Sequence, residues 1–192
     1  PAHERALSRV GIVGEIYVKY NPFANHDVAQ WLTDRGCEVH LPPLMTFFSA
    51  SLVNRSNAVQ ARIQRRSVQS VLAPVFESHV QGFVRATDRV LEDFRYYRPR
   101  ASIRDLAATA REAVSLSHQY GEGWLLAGEV GHFARTGVSN VLCLQPFGCI
   151  ANHVVAKGIG RRLRQIHPGL NLLFLDLDAS GNEVGALNRL HF

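Results

Sequence analysis

Few cysteines, no long apolar run and no leader-like beginning limit what this chain can be. Its 192 residues include three cysteines, Cys37, Cys143 and Cys149, an odd number that is too sparse for a disulfide scaffold. No apolar run approaches the roughly 20 residues of a membrane span, and the first residues lack the basic and apolar blocks of a signal peptide. We therefore expect a cytoplasmic protein that does not contact a membrane.

Neither sign of charge dominates the composition. The formal net charge is +5 and the sequence pI is near 9.5, which permits an anionic partner without requiring one. The basic clusters "RIQRR" and "GRRLR" are predicted to be solvated helix faces, and we do not expect nucleic acid as a partner. Hydrophobic residues make up 46% of the chain and charged residues 19%, which is typical of a globular domain.

Apolar runs and turn residues alternate at both ends of the chain as they do in an α/β fold. Four stretches rich in aliphatic residues predict buried strands: "VGIVGEIYV" (10–18), "CEVHLPP", "VSNVLCLQPF" and "LNLLFLDLD". Helical patterns lie between them, and "NEVGALNRLHF" predicts a final short helix. Because strand–helix–strand units make parallel pairs, we expect a mostly parallel sheet with helices on both faces, Rossmann-like or flavodoxin-like.

The middle of the chain has a helical period instead. Apolar residues from Val68 to Phe94 recur at i, i+3 and i+4 spacing, and Pro74 is predicted to kink or restart that helix. We expect residues 1–192 to form a single α/β domain in which 51–120 is a mainly helical insertion. Because the chain begins without methionine and close to a predicted strand, we also expect it to be part of a longer protein.

Ligands of open parallel sheets bind beyond the carboxyl ends of the strands. Four loops are predicted at that edge: "GEIYVKYNPFAN", "LPP", "LQPFGC" and "LDLDASGNE". Glu15, Asp176 and Asp178 lie at or near these strand ends. Their carboxylates could orient a ligand, bind Mg²⁺, or accept hydrogen bonds from loop amides.

Cys149 stands where the third predicted strand turns into a helix. Gly148 permits a sharp turn, and free N–H groups at a helix start stabilise a thiolate that acts as nucleophile or metal ligand. The alternative is a small apolar residue that packs under a loop. His153 follows one helical turn later, so a Cys–His nucleophilic pair is a third interpretation. Cys143 and Cys37 are predicted to pack.

Several motifs together resemble one known family. The stretches "GEIYVKYNPFAN", "GEGWLLAGEV", "NVLCLQPFGCIANHVVAKG" and "LFLDLD…NEVGALNRL" resemble the C-terminal region of proteins related to 2-hydroxyacyl-CoA dehydratases and their activases, kin to 2-hydroxyglutaryl-CoA dehydratase components. The similarity lies on both flanks of the chain, and "QPFGC-x-x-NH" is its most specific piece.

The resemblance implies an iron–sulfur function. In that family, dehydratase-like subunits hold a [4Fe–4S] or related cluster through cysteines from more than one segment, and an activase with an ATPase fold delivers an electron. By this resemblance Cys149 is a cluster thiolate. The resemblance also implies a cofactor-binding edge that consists of Gly14, Glu15, Asn21, Gly148, Asn152 and His153.

Three functions stay open at this point. The first is a domain that contributes one cluster thiolate to ATP-linked electron transfer to an acyl-CoA. The other ligands would come from the rest of the parent polypeptide or a dehydratase/activase subunit, so the chain is one part of a lyase and incomplete alone. The second is a non-catalytic α/β scaffolding or docking module of the same large protein. The third is a stand-alone Cys–His hydrolase or transferase.

Overall fold

Four parallel strands form one sheet in the order β2-β1-β3-β4. The computed structural model describes residues 7–178 and Leu190. The strands are β1 (Ser8–Gly14), β2 (Cys37–His40), β3 (Asn140–Pro146) and β4 (Asn171–Leu177). β1 pairs with β2 and with β3, and β3 pairs with β4, all in parallel. The predicted α/β class with a parallel, Rossmann-like or flavodoxin-like sheet is therefore confirmed.

Helices cover both faces of this sheet. They are α1 (Ile16–Tyr20), α2 (Val28–Asp34), α6 (Trp124–Arg135) and α7 (Gly158–Ile166), the last preceded by a π-helical segment, Asn152–Lys157. Successive strand residues enter different cores because side chains alternate across a strand. Ile12 and Leu144 pack with the residues of α1 and α2, whereas Val13 and Cys143 pack with those of α6 and α7. Cys143 packs in the core, as predicted.

The middle of the chain is helical. It consists of α3 (Leu44–Gln60), α4 (Val68–Leu91) and α5 (Ile103–Ala110). The helical run begins before the predicted residue 51 because Pro43, with an extended backbone, is the N-cap of α3 and fits a helix start. α4 continues through Pro74 as one helix, so the predicted restart does not occur. The cluster "RIQRR" lies in the connection between α3 and α4 rather than on a helix face.

The first strand is shorter than the sequence predicted. β1 ends at Gly14 and a helix begins at Ile16, although the β-branched run continues to Val18. Gly14 has a φ of +130°, which turns the chain out of the strand, and the Glu15 carboxylate caps α1 by accepting the Val18 N–H at 3.0 Å. A side-chain cap therefore outweighs strand propensity here.

The last predicted elements are only partly described. The final helix "NEVGALNRLHF" lies outside the described residues except for Leu190, which is helical and packs in the core that also contains Leu175. The loop "LDLDASGNE" is described as far as Asp178. Within the described part of the chain, no helix combines the length and the apolar character needed to cross a bilayer.

Candidate functional site

The sheet has a switch point between β1 and β3. The chain goes from β1 to β2 on one side, whereas β3 and β4 lie on the other. At such a point the loops beyond the carboxyl ends of the two strands diverge and leave a crevice, which is where open parallel sheets bind ligands. The segment after Gly14 and the turn around Cys149 both start at this crevice, so these candidate residues lie beyond the carboxyl ends of β1 and β3.

Gly14 and Glu15 lie beside β3 at the end of the β1–β3 ladder, where Gly14 is in register with Leu144. The Glu15 N–H donates to the Leu144 carbonyl oxygen at 2.9 Å, and a Cβ on Gly14 would lie 1.9 Å from that same oxygen. Only glycine fits this close approach of the two backbones. Because the Glu15 carboxylate is occupied in capping α1, the two residues shape the crevice through their backbone.

Asn21 organises the loop that follows α1. Its Oδ1 accepts the Phe23 N–H at 3.0 Å and the Ala24 N–H at 3.4 Å. That loop forms one wall of a hollow of about 740 Å³ at the strand ends, which Pro146 and Leu177 close on the other side. Neither Asn21 nor Cys149 is among the residues that line this hollow, so the hollow does not bring these two predicted site residues together.

Cys149 lies in a tight turn between β3 and the following helix. Gly148 has a φ of +80°, and the Cys149 N–H donates to the Pro146 carbonyl oxygen at 3.1 Å. The residue is partly exposed. The side-chain amide of Asn152 lies 3.6 Å from Sγ as a hydrogen-bond donor, a contact that stabilises negative charge on sulfur.

His153 holds the turn rather than the sulfur. Its Nε2 accepts the Gly148 N–H at 3.1 Å, an arrangement that assigns the proton of a neutral ring to Nδ1. Nδ1 lies 3.7 Å from an oxygen of Asp176 and 3.4 Å from Nε2 of Gln145. The contacts of the ring and the sulfur thus go to different groups, an arrangement that does not favour the Cys–His nucleophilic pair.

Asp176 forms hydrogen bonds with two side chains close to this turn. Its carboxylate accepts hydrogen bonds from Gln145 at 2.5 Å and from Lys157 at 2.8 Å. Partial burial acts to raise the pKa of Asp176, but these hydrogen bonds and the Lys157 charge outweigh it and hold the pKa below its ordinary value. Asp176 is therefore ionised at neutral pH and fixes the positions of Gln145 and Lys157.

Two amide side chains behind Cys149 are completely buried. Gln145 and Asn152 have no exposed surface, and their carbonyl oxygens, Oε1 and Oδ1, have no hydrogen-bond partner among the described residues. Asn152 was expected from the family resemblance, whereas Gln145 was missed. The available signal was a polar residue inside the otherwise apolar run "VLCLQP".

A buried charge cluster under the crevice was also missed. The ammonium group of Lys19 lies 3.3 Å from the Glu129 carboxylate, and both side chains are 2% exposed. Glu122 accepts the Ile16 N–H at 2.9 Å. Burial raises the pKa of Glu122 and of Glu129. The signal in the sequence was two glutamates in the apolar stretch "GEGWLLAGEV".

The described residues supply two partly exposed thiols, Cys37 and Cys149, and not a complete metal site. Cys143 is fully buried and burial raises the pKa of its thiol, while Cys37 lies on the edge strand β2 and packs against the core of the sheet. In residues 7–178 and 190, no three histidine, cysteine or acidic side chains are grouped so that they could hold a metal ion. This donor set fits one corner of a cluster shared with another protein segment, and it does not fit a whole cluster.

Comparisons of the chain with models of protein families, with characterised proteins and with solved structures give no match. Function has to follow from the chain's own motifs and their geometry.

Proposed function

We propose that this chain is a domain of an acyl-CoA dehydratase/activase-related iron–sulfur protein, and that Cys149 gives one thiolate to a cluster whose other ligands lie outside the chain. The proposal combines the resemblance of "QPFGC-x-x-NH" to that family with one structural observation. Cys149 is partly exposed in a tight turn beside the switch point of the sheet, with the Asn152 amide donating to Sγ. When bound, a [4Fe–4S] cluster supplies one-electron chemistry.

The residues around Cys149 fix the direction of its sulfur. Gly148 makes the turn, and the His153 ring accepts the Gly148 N–H. Because Asp176 restrains Gln145 and Lys157, the support extends into β4. A cysteine held in this way is oriented before the metal binds, since hydrogen bonds from surrounding groups fix the residues that bind a metal and tune its properties.

Exposed apolar side chains surround the proposed ligand. Phe147 is 75% exposed and Ile150 is 77% exposed, and these residues flank Cys149 within the same turn. Large apolar groups next to a polar rim are typical of surfaces that a partner covers. The missing ligands therefore come with a protein surface that covers Phe147 and Ile150 and excludes water from the cluster.

Anaerobic reconstitution of the chain with the rest of its parent polypeptide or its dehydratase/activase subunit tests the proposal. Cys149→Ser is expected to lower the bound iron and the visible cluster absorption, because serine does not replace a thiolate as a soft ligand. Cys37→Ser is the matched control and keeps both. Full iron content in Cys149→Ser contradicts the cluster role.

A docking module is the second candidate, and one helix favours it. Leu72, Phe76, Phe83 and Val90 of α4 are each more than half exposed. Their positions fit the 4-3 spacing of a helix–helix seam, with His79 and Ala86 between them. α4 buries Ala73 and Glu77 instead. Such a stripe fits the groove of a helical partner.

A double substitution separates the two candidates. Phe76→Ser with Phe83→Ser is expected to weaken binding to the parent polypeptide or subunit at least about tenfold, because interface aromatics carry much of the binding energy. Cys149→Ala leaves docking through α4 intact. Binding by isothermal titration calorimetry is the readout, and unchanged affinity in the double variant contradicts a docking role for α4.

A further inference from the structure

A second cavity lies beside β2, the edge strand of the sheet. It measures about 620 Å³, within the size range of small-molecule sites. β2 ends at His40, and the following "LPP" loop forms one wall, while α6 contributes Phe133 to the other. Tyr20 donates a hydrogen bond to the Pro42 carbonyl oxygen at 2.5 Å, which ties the loop to α1.

Much of the cavity wall is apolar. The side chains that form this part come from the "LPP" loop, α5, α6 and the segment before β3. They are Leu41, Pro42, Pro43, Leu106, Phe133 and Val138. An apolar wall of this kind accepts the hydrocarbon or ring portion of a ligand.

Cations outnumber acids at one end of the cavity. The Glu38 carboxylate lies 3.6 Å from Arg9 Nε and 3.7 Å from Arg98 Nη2, beyond ordinary hydrogen-bond length. His40 Nε2 is 3.2 Å from Glu38 Oε1, the same oxygen that Arg98 approaches, but it has no hydrogen bond of acceptable geometry and is shielded from solvent. One carboxylate does not neutralise two guanidinium groups, so positive charge is left over.

The other arginines of the wall are already paired with acidic groups. Arg100 pairs with Asp88, and Arg135 pairs with Glu112. Of the two acidic groups of the wall, Glu129 pairs with Lys19, whereas Asp105 contacts a neutral group, since its carboxylate accepts the Ser102 hydroxyl at 2.6 Å. The arginines of the wall that share one carboxylate are therefore Arg9 and Arg98.

We propose that this cavity binds a small organic anion. Its carboxylate or phosphate group accepts hydrogen bonds from N–H groups of Arg9 and Arg98 that do not reach Glu38, since guanidinium groups form paired hydrogen bonds with such oxyanions. Its apolar body lies along Leu41 and Phe133. The site lies beside β2 and not at the turn around Cys149, so it does not depend on the cluster role of the cysteine.

Simple probes distinguish the contribution of the anionic group from that of the apolar body. Titration calorimetry and amide chemical-shift mapping of the full chain are carried out with octanoate, octyl phosphate, acetate, inorganic phosphate and 1-octanol. Octanoate or octyl phosphate is expected to bind at least about tenfold more tightly than acetate, phosphate or octanol. Acetate and phosphate lack the apolar chain, and octanol lacks the anionic group. The tighter of the two amphiphiles identifies the head group.

Substitutions test the location of the site. Arg98 is 57% exposed at its side chain, so Arg98→Gln is expected to fold, and to weaken binding of the tighter probe about tenfold by removing a charged hydrogen bond. Arg9→Gln weakens it further. Arg161→Gln on α7 is the control and leaves binding unchanged. Absence of binding, equal binding of octanol, or shifts confined to the exposed stripe of α4 overturns the proposal.

Discussion

The sheet and helix α4 have equally regular apolar patterns, but their apolar side chains have opposite surroundings. Ile12 is 1% exposed and Leu144 is not exposed at all, because helices cover both faces of the strands. In α4, Phe83 is 76% exposed and Val90 is 81% exposed. A period in the sequence therefore tells which residues share a face, and it does not tell whether another element covers that face.

The two regions also differ in how they are held. The sheet cores are joined by apolar packing and contain the buried Lys19–Glu129 pair. The contact of α4 with α5 includes an ion pair, since Arg104 Nε lies 2.6 Å from the Glu77 carboxylate. Because partly exposed ion pairs contribute little, we expect the cooperative stability of the chain to come from the sheet and its helices.

Substitution of one glycine in each region is expected to give the largest difference in stability. Gly14→Ala puts a Cβ 1.9 Å from the Leu144 carbonyl oxygen at a φ of +130°, so we expect a loss of at least about 4 kcal/mol in the free energy of unfolding. Gly82→Ala in α4 meets no atom within 4 Å and is expected to gain up to about 1 kcal/mol. Urea unfolding measures both, and equal effects contradict the contrast.

The buried ion pair gives the next largest effect. Lys19→Met leaves the Glu129 carboxylate buried without its partner, which is expected to cost about 3–5 kcal/mol. Adding Glu129→Leu recovers most of that loss because no buried charge remains. Arg135→Gln, which breaks the exposed pair with Glu112, changes stability by less than about 1 kcal/mol. Denaturant midpoints that fall equally for both single variants argue against this assignment.

A smaller effect depends on pH. Burial raises the pKa of Glu122 above the ordinary value of 4.5, so between 4.5 and the folded-state pKa the native state binds more protons than the unfolded state. Stability from this group is complete below pH 4.5 and declines as the pH rises through the folded-state pKa. Glu122→Gln removes this decline. Between pH 4 and pH 7 its free energy of unfolding is therefore expected to rise relative to that of the wild type, by less than about 2 kcal/mol.

Urea unfolding at several pH values measures this difference. Glu112→Gln, at an exposed glutamate, is the control for loss of one negative charge. A stability difference between Glu122→Gln and wild type that does not vary with pH contradicts the expected role of burial.

The sequence predicted the end of β3 and the turn after it because its signals there are local. The apolar run before Gln145 specifies β3, and the glycine at 148 permits the turn that carries Cys149. The same local reasoning extended β1 to Val18 and so was wrong, since a Glu15 cap and the close approach of Gly14 to the Leu144 backbone end the strand first. A close approach of this kind depends on a strand far along the chain.

Within the candidate site, residue identity was more predictable than residue contact. His153 was correctly placed one turn after Cys149, but its ring contacts Gly148 and approaches Asp176. Gln145 was missed because the importance of a polar residue in a strand depends on its neighbours across the sheet. Asp176 lies on β4, in register with Gln145 on β3, and that register is a tertiary property.

What the sequence by itself determined is the parallel α/β class, the position of the candidate residues beyond the carboxyl ends of the strands, and the turn at Cys149, because these follow from apolar period and turn chemistry over a few residues. The tertiary structure alone decided that Lys19 meets Glu129, 110 positions away, that the α4 stripe stays exposed, and that Arg9 and Arg98 share Glu38. These outcomes depend on which elements pack together, and packing joins residues whose separation along the chain carries no local signal.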